Sequence, residues 1–460
     1  MKQFKIIFYY EWLHFKAEKS MLIFSMLMLL SGLYGIYSGK REMDQQRHKI
    51  AELDGLYREN IREMKEKYPD SADAGDIGYY HAAFSKNLPD AWAALSVGQR
   101  DVNPAYLKIR LLAVQNQLYN SENTNPNKLA TGSFDLAFVF VFILPLFIIA
   151  LSFNMLSVEK EQGTLAILLS QPLKLSTLLL AKLLFRFTLI FVLTTTLSLI
   201  GIAWLQASMD LRLLIWILAT TLYSSFWLAC AFYMVALQKS SAFNAISLLG
   251  VWLLLAIILP TLINVIGMIN NPVTEGLELS LKQRQEVHAG WDKPKAETMQ
   301  KFYALHPQFS DTTSVKGRFE WRWYYAFQEL GDQSVATLYQ NYRQKMEARQ
   351  AFTTRWGGIS PAAVLQGTFN ALAATDLKQH LEFVNSTKDY HDKLKAFYYP
   401  FLFRFKKFAH SDFAKEPQHV FKASPDWTMA LNGMLMLLIA TATVAAFGSY
   451  AYLNHTKEIK

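Results

Sequence analysis

The sequence has 460 residues, of which 52% are hydrophobic and 18% charged, and its formal net charge is +9. This composition indicates a membrane protein with sizeable water-exposed parts, and since the excess Lys and Arg flank apolar segments, the charge does not indicate nucleic-acid binding. The single cysteine, Cys230, lies in an apolar segment, which excludes an internal disulfide in either polar region. Each polar region is therefore expected to have a hydrophobic core of its own.

Residues 1–19 are expected to form an amphipathic helix that lies in the membrane interface and precedes the first span. Aromatic and aliphatic side chains recur there at helical spacing, with lysines around them. A signal peptide is disfavoured because the segment contains Glu11 and Glu18 and lacks a small-residue cleavage site. Residues 20–38 carry no charge and predict the first membrane span.

The first polar region, residues 39–134, is predicted to be mostly helical. Lys40–Tyr68 carries an apolar stripe with a period near 3.5 residues, which favours a packed helical hairpin over a free coiled coil. Residues 69–90 are rich in Pro, Gly, Asp and Ser and predict a loop. Ala105–Tyr119 predicts a second helix that returns toward the membrane.

The stretch between the second and third apolar segments differs from both of them. Residues 135–156 predict the second span and residues 175–209 predict the third. Between them, residues 157–174 combine charges at both ends with an apolar run, so this stretch is expected to lie along the membrane surface as a helix. Glu159 and Glu161 would then lie in its first turn, where the helix dipole favours carboxylates.

The residues of this stretch resemble a family motif. The order Glu159-x-Glu161-x-Gly163-Thr164-Leu165, continued by Leu168, Pro172 and Lys182, is similar to the first cytoplasmic loop of ABC-2-type transporter permeases. In that family the loop forms the coupling helix that fits a cleft on the ATPase subunit. The resemblance therefore implies an ATPase-coupling role for Glu159, Glu161, Gly163, Thr164, Leu165, Leu168 and Pro172. The alternative, from the residues alone, is an ordinary interfacial helix.

Three further apolar segments complete the membrane part. They predict a fourth span at 211–237, a fifth at 241–268 with a kink at Pro260, and a sixth at 427–453 with a short tail at 454–460. These spans contain almost no charge, so an ion-coupled carrier is disfavoured.

The second polar region, residues 269–425, is also predicted to be mostly helical. Its helical patterns cover Glu278–His288, Lys295–Leu305, Arg318–Arg349 and Pro361–Asn370. Ser360 and Asp376 are expected to cap the N-termini of two helices. The aromatic and basic segment Lys395–Phe413 fits either a strand or a belt resting on lipid headgroups, and a packed element is preferred.

A second resemblance lies in the same region. The run Gly357–Pro361, followed by Ala374–Asp376 and His380, is similar to a signature of one ABC-2 permease subgroup. That subgroup carries a large extracytoplasmic insert of unknown function between the fifth and sixth spans.

Six spans place both chain termini on one side of the membrane. Lys and Arg concentrate on that side, at Lys2, Lys5, Lys16, Lys19, Lys160, Lys174, Lys182, Arg186, Lys239, Lys457 and Lys460. The short loop Gln206–Leu211 on the opposite side holds Asp210 and no cation. The positive-inside rule therefore predicts that the termini and residues 157–174 are cytoplasmic, and that both polar regions lie outside the inner membrane.

The sequence contains no motif for catalysis or nucleotide binding. The nearest approach to a phosphate-binding loop, Gly39-Lys40, is followed by Arg41 where Ser or Thr is required. ATP and Mg are therefore expected on a partner ATPase, with no cofactor in this chain. Asp376 and His380 have a spacing that could bind a divalent ion, but a helix cap with a surface histidine is preferred. No catalytic or metal-binding residue is predicted, and the chain is expected not to be an enzyme.

Together the patterns predict a mainly α, polytopic membrane protein with six transmembrane helices and two mostly helical extracytoplasmic inserts. The resemblance implies the permease subunit of an ATP-driven ABC-2-type exporter in the bacterial inner membrane, with an ATP-binding-cassette ATPase and a second permease subunit, identical or not, as partners. One alternative is a mechanotransmission complex, in which the ATPase moves the inserts without passing a substrate. Another is a membrane-anchored sensor or scaffold that needs no ATPase.

Overall fold

The computed structural model describes residues 2–119, 132–171, 174–310 and 314–456, and these are mostly helical. Among them, six helical segments are long and apolar enough to cross a membrane. They lie at Lys19–Lys67, Leu136–Glu161, Leu175–Leu205, Leu211–Ala236, Ser241–Asn270 and Trp427–Asn454. The predicted fold class, a polytopic α-helical membrane protein, is confirmed.

In chain order, the first elements are α1 (Lys2–Ala17), α2 (Lys19–Lys67), α3 (Ala74–Tyr80), β1 (Ala83–Leu88), β2 (Tyr106–Ile109) and α4 (Val114–Tyr119). There follow α5 (Leu136–Phe138, a π-helical turn at Val139–Ile143, and Leu144–Ser152), α6 (Ser157–Glu161), α7 (Thr164–Ser170), α8 (Leu175–Leu205), α9 (Leu211–Ala236) and α10 (Ser241–Leu253, a π-helical turn at Leu254–Ile258, and Leu259–Asn270). The last elements are α11 (Glu275–Ala289), α12 (Lys295–Leu305), α13 (Trp321–Ser334), α14 (Ala336–Gly357), α15 (Pro361–Ala373), α16 (Leu377–Phe403), β3 (His419–Lys422) and α17 (Trp427–Thr456).

The first span and the charged helix that follows it form one continuous helix. α2 runs for 49 residues, and a helix of that length extends for about 74 Å, far beyond the hydrocarbon core. The helices predicted at 20–38 and at Lys40–Tyr68 are therefore confirmed, and they join without a break. Gly39 lies where the span meets the charged half of α2. A Cβ on Gly39 would come within 1.9 Å of the Ala94 carbonyl oxygen, so the glycine allows close packing there without interrupting the helix.

The two polar regions form a single domain, which we name the polar domain and define as residues 40–119 and 275–422 in so far as the structure describes them. Its sheet has the strand order β2-β1-β3, with β1 antiparallel to β2 and parallel to β3. β1 and β2 come from the first polar region and β3 comes from the second. The polar half of α2 packs against β1 instead of forming the predicted helical hairpin.

The predictions of a loop over residues 69–90 and of one helix over Ala105–Tyr119 are wrong. α3 and β1 occupy most of the first segment, and β2 precedes α4 in the second. β1 is buried along nearly its whole length, so it lacks the alternation of polar and apolar residues that marks a half-exposed strand. Its pairing partner β3 lies far along the chain, where local composition gives no sign of it.

One hydrophobic core serves both polar regions. Ala74 and Ile109 from the first region belong to the same cluster of buried side chains as Phe302, Phe383 and Phe403 from the second. The expectation that each region has a core of its own is therefore wrong.

The buried carboxylate of Glu416 also joins the two regions. It accepts hydrogen bonds from the Tyr57 hydroxyl at 2.5 Å and the Tyr398 hydroxyl at 2.8 Å, and it lies 2.8 Å from Nε2 of His81. Tyr57 and His81 belong to the first region, whereas Tyr398 and Glu416 belong to the second. Separating the regions would leave a buried carboxylate without two of its partners, which is costly in an apolar interior.

A second buried carboxylate, Glu329, links α13 to α16 and to His306, the residue that follows α12. Its oxygens accept a hydrogen bond from the Tyr399 hydroxyl at 2.5 Å and lie 2.9 Å from Nε2 of His306 and 3.2 Å from Nζ of Lys395. Burial by itself raises the pKa of Glu329, but His306, Lys395 and Tyr399 outweigh it and lower the pKa from 4.5 to about 2. The ionised carboxylate is therefore favoured in the folded domain.

Glu329→Gln is expected to lower the free energy of unfolding of the polar domain by about 3 kcal/mol at neutral pH, since each unit of pKa shift corresponds to about 1.4 kcal/mol. Because the folded pKa is depressed, this contribution is present above the unfolded value near 4.5 and is lost as the pH falls toward 2. Denaturant unfolding of the two proteins, followed by tryptophan fluorescence, should show the difference shrink over that pH range. A difference that stays constant down to pH 2 would contradict the assignment.

Several predicted helices of the second polar region are confirmed. α11 and α12 cover the helices predicted at Glu278–His288 and Lys295–Leu305, whereas the single helix predicted at Arg318–Arg349 is two helices, α13 and α14. The Ser360 side chain accepts a hydrogen bond from the Ala363 amide at 3.1 Å, as predicted for an N-cap.

The capping prediction for Asp376 is also confirmed. Its carboxylate accepts a hydrogen bond from the Gln379 amide at 2.9 Å, at the start of α16. In the parts of the chain that the structure describes, no three His, Cys, Asp or Glu side chains come together as a candidate metal site.

The segment Lys395–Phe413 is neither a strand nor a lipid-facing belt in its first part. α16 continues through it as far as Phe403, which is fully buried in the shared core. Phe405 is exposed and lies under the Arg322 guanidinium, with 4.3 Å between the guanidinium carbon and the ring centroid. The preference for a packed element is thus confirmed, and the strand of this region is β3.

α15 packs among the membrane spans. Its apolar side chains belong to the same buried cluster as those of the spans, and Phe369 stacks on Trp216 of α9 with 3.7 Å between ring centroids. Its capping residue Ser360 donates from Oγ to the Leu255 carbonyl oxygen at 2.6 Å, within the π-helical turn of α10. The prediction placed all of residues 269–425 outside the six spans, and α15 corrects it.

Candidate functional site

The connection between the second and third spans is a short helical hairpin, which we name the connecting hairpin and define as residues 157–171. α6 ends at Glu161 with Gln162 as its C-cap, Gly163 has a φ of +72°, and α7 begins at Thr164. The single helix predicted over residues 157–174 is therefore broken at Gly163, because a left-handed residue ends a helix and glycine adopts that conformation without a Cβ clash. Pro172 lies outside the described residues.

The inner face of the hairpin is apolar. Leu165 and Leu168 pack against a cluster of buried side chains contributed by the ends of the spans. The core of that cluster comprises Met155, Leu156, Leu178, Leu179 and Val235. Leu165 and Leu168 therefore hold the hairpin on the membrane part.

Glu159 belongs to a buried cluster of ion pairs at the base of the hairpin, which we name the ion cluster and define as Glu11, Glu159, Lys182 and Arg186. Lys182 pairs with Glu159 and lies 3.4 Å from Glu11, which pairs with Arg186 at 3.0 Å. The four side chains are between 6% and 16% exposed. The cluster joins α1, α6 and α8 with two positive and two negative charges.

The surroundings of Glu11 favour its ionised form. Burial raises the pKa of its carboxyl, but the neighbouring Lys182 and Arg186 reverse that effect and lower the pKa below the ordinary value of 4.5. Arg186 is fixed further by donating from Nε to the Leu151 carbonyl oxygen at 2.7 Å. Oε2 of Glu159 is buried and has no hydrogen-bond partner among the described residues, so the position of this carboxylate depends on Lys182.

Glu161 fixes the other side of α6 to the fifth span. Its carboxylate accepts hydrogen bonds from the Ser241 amide at 2.7 Å and the Ser241 hydroxyl at 3.0 Å, at the N-terminus of α10. A carboxylate is favoured at that end of a helix. Lys160 Nζ donates to the Gln238 carbonyl oxygen at 3.0 Å. Both charges therefore act within this chain.

Beyond the exposed Lys160 and Glu161, the surface of the hairpin that faces away from the spans carries uncharged residues. Gly163, Thr164 and Ile167 face away from the spans, and Ile167 is 67% exposed. A Cβ on Gly163 would have no neighbour within 4 Å, so the space in front of it is open. We name these three residues the hairpin tip.

The structure therefore divides the predicted coupling residues into two groups. Gly163 and Thr164 lie on the exposed tip, whereas Glu159, Glu161, Leu165 and Leu168 attach the hairpin to the spans.

Sequence reasoning missed Ile167 and Glu11. The signal for Ile167 was available, because Leu165 and Leu168 share one helical face and leave Ile167 on the other. The signal for Glu11 was a carboxylate on the apolar N-terminal helix, together with two unpaired cations at the start of the third span.

Two family models match the chain. Residues 82–278 match the family described as ABC-2 family transporter protein, a range that includes the connecting hairpin and the second to fifth spans. Residues 277–422 match a domain of unknown function, DUF3526, which includes β3 and α15. No curated protein matches the chain.

The matched family, the six apolar helices and the hairpin between the second and third spans agree with one another. The family match covers the part of the chain in which the resemblance of the hairpin motif was found. Over residues 82–278 the chain is similar to the ABC-2 family of transporter proteins, which supports a permease component of an ABC transporter, and its six apolar helices indicate a multi-pass membrane protein.

Proposed function

We propose that this chain is the permease subunit of an ATP-driven exporter, in which a separate ATP-binding-cassette ATPase acts on the connecting hairpin to drive substrate movement. One observation carries the proposal: the hairpin offers an exposed tip, while its apolar face and all its described charges attach it to the spans. A force on the tip is passed to α8 and α1 through the ion cluster and to α10 through Glu161. ATP and Mg bind the partner ATPase in this proposal, and this chain holds no cofactor.

We place the hairpin and both termini in the cytoplasm and the polar domain, except α15 and the last turns of α14, outside the bacterial inner membrane. The ion cluster puts α1 beside the hairpin. At the opposite end of the bundle, Arg212 pairs with Asp90 of the polar domain at 3.0 Å, and Trp92 Nε1 donates to the Ser208 carbonyl oxygen at 3.2 Å. The two ends therefore differ, and the lysines around the hairpin assign its end to the cytoplasm by the positive-inside rule.

The alternative of a mechanotransmission complex draws support from α2, which runs unbroken from the first span into the polar domain. A cavity of about 1020 Å³ among α5, α10, α14, α15 and α17 favours transport instead, because it has the size of a small-molecule site. A second permease subunit, identical to this chain or not, completes the proposed transporter.

Ile167→Asp tests the proposal at the tip. The Ile167 side chain is mostly exposed and does not belong to the apolar cluster under the hairpin, so the variant should insert and unfold like wild type. A charge placed in a desolvated contact should weaken binding of the ATPase at least about thirtyfold, the effect of losing a strong interface residue. The measurements are the affinity of the purified ATPase for the chain in nanodiscs and its hydrolysis rate in the complex.

Ile167→Leu is the matched control, because it keeps an apolar side chain of the same volume at the tip and should retain wild-type binding. If Ile167→Asp binds the ATPase and supports hydrolysis as wild type does, the tip is not the coupling surface and the connecting hairpin is only an interfacial element.

A further inference from the structure

The large cavity beside the spans is polar at one end and apolar at the other. α17 begins at Trp427 on the polar-domain side, and the cavity wall follows this helix from Asp426 and Thr428 to Met436. Met436 lies nine residues beyond Trp427, which corresponds to about 14 Å along the helix. Ala256, which also lines the cavity, lies in the π-helical turn at the middle of α10. The apolar end is therefore deep in the span bundle.

Arg355, near the end of α14, lines this cavity beside the fifth span, α10. α14 passes alongside α10, where a Cβ on Gly267 would come within 3.1 Å of the Phe352 ring. Three residues beyond Arg355, a Cβ on Gly358 would lie 3.1 Å from the sulfur atom of Met436 in α17. Arg355 lies between these two contacts, and its side chain is exposed and lines the cavity.

Among the residues that the structure describes, none compensates the charge of Arg355. The other charged residues of the cavity wall, Lys378 and Asp426, pair with each other at 2.8 Å. Within the described ranges 2–119, 132–171, 174–310 and 314–456, Arg355 makes no ion pair. A charge without a partner at membrane depth is costly and marks a binding or transport site. Side-chain amides of Gln350 and Asn432 line the same wall.

Two kinds of occupant fit this wall poorly. A neutral hydrocarbon would leave the guanidinium of Arg355 without a counter-charge. A small soluble anion would leave the apolar surface around Pro260 and Met436 in contact with water. A molecule with an acidic headgroup and an apolar tail satisfies both ends.

We propose that the cavity binds an anionic lipid, with its acidic headgroup paired to Arg355 and an acyl chain lying along Ala256, Pro260 and Met436. An oxyanion headgroup matches the fork of donors that a guanidinium presents. The site needs neither nucleotide nor ATPase, so its test is independent of the proposed coupling through the hairpin tip.

The test measures lipid retained by the full chain. The purified protein is delipidated in detergent, exposed to phosphatidylglycerol or phosphatidylcholine with identical acyl chains, and analysed by native mass spectrometry. Wild type should retain phosphatidylglycerol preferentially. Arg355→Gln should weaken that retention by about tenfold, the effect expected when a charge-assisted hydrogen bond is lost.

Arg343→Gln is the matched control, because Arg343 lies on the same helix, pairs with Glu347 at 2.7 Å and does not line the cavity. It should retain lipid as wild type does. Ala351→Trp, at an exposed position of the cavity wall, narrows the space and should reduce retention without removing charge.

Two outcomes would overturn the proposal. Equal retention of the two lipids, unchanged in Arg355→Gln, would show that the headgroup is not recognised. Displacement of phosphatidylglycerol by millimolar inorganic phosphate would identify a site for a soluble anion rather than for a lipid.

Discussion

Lys182→Met is expected to destabilise the membrane part by about 3–5 kcal/mol, because removing one partner of a buried ion pair leaves the other charge uncompensated. Lys182 contacts both Glu159 and Glu11, and all three side chains are nearly excluded from solvent. Its removal leaves two buried carboxylates with Arg186 as the one remaining cation of the ion cluster. The measurement is the thermal or denaturant midpoint of the purified chain in detergent.

A second substitution separates charge imbalance from lost packing. Adding Glu159→Gln to Lys182→Met restores the balance of charge in the ion cluster, so the double variant should be more stable than Lys182→Met alone. Lys160→Met is a matched control on the same hairpin, where an exposed lysine donates a single hydrogen bond to Gln238. Its effect should stay within about 0.5 kcal/mol. Wild-type stability of Lys182→Met would show that the ion cluster does not hold the hairpin in place.

A fragment of residues 275–425 is expected to lack a cooperative unfolding transition. It would lose β1, the strand on which β3 pairs, and the contribution of Ile77, Ile109 and other side chains to the shared core. The carboxylate of Glu416 would lose its contacts with Tyr57 and His81. With β3 unpaired and part of the hydrophobic core missing, the remaining interactions should not outweigh the conformational entropy that the fragment would lose on folding.

The comparison that decides this is a chain in which residues 40–119 are joined by a flexible linker to residues 275–425. It contains both halves of the polar domain and should show a cooperative melt by near-ultraviolet circular dichroism. Both proteins contain α15, so its exposed apolar face affects them alike. A cooperative melt of the shorter fragment would show that the second polar region has a sufficient core of its own.

The sequence predicted the membrane spans well because their signal is local. An uncharged apolar run of about 20 residues is enough by itself to predict a helix that spans the membrane. The caps at Ser360 and Asp376 were predictable for the same reason, since each is set by a few neighbouring residues. α15 was not placed among the spans, because a helix of 13 residues is too short to register as one.

Contacts between distant parts of the chain could not be predicted in this way. The pairing of β1 with β3, the common core of the two polar regions and the approach of Glu11 to Lys182 each depend on tertiary structure. The hairpin shows the same limit: its sequence did not reveal that Leu165 and Leu168 pack against the spans or that Gly163 separates two short helices.

The length of α2 has a mechanical consequence. Asp54, in its polar half, pairs with Lys86 of β1, and Gln46 donates to the Arg100 carbonyl oxygen at 3.0 Å, so the polar domain is fixed to the upper part of this helix. A rod of this length that tilts by about 5° about its membrane end moves its far end by about 6 Å. Small rotations of the first span are thereby amplified into displacements of whole side-chain size at the far end of the polar domain.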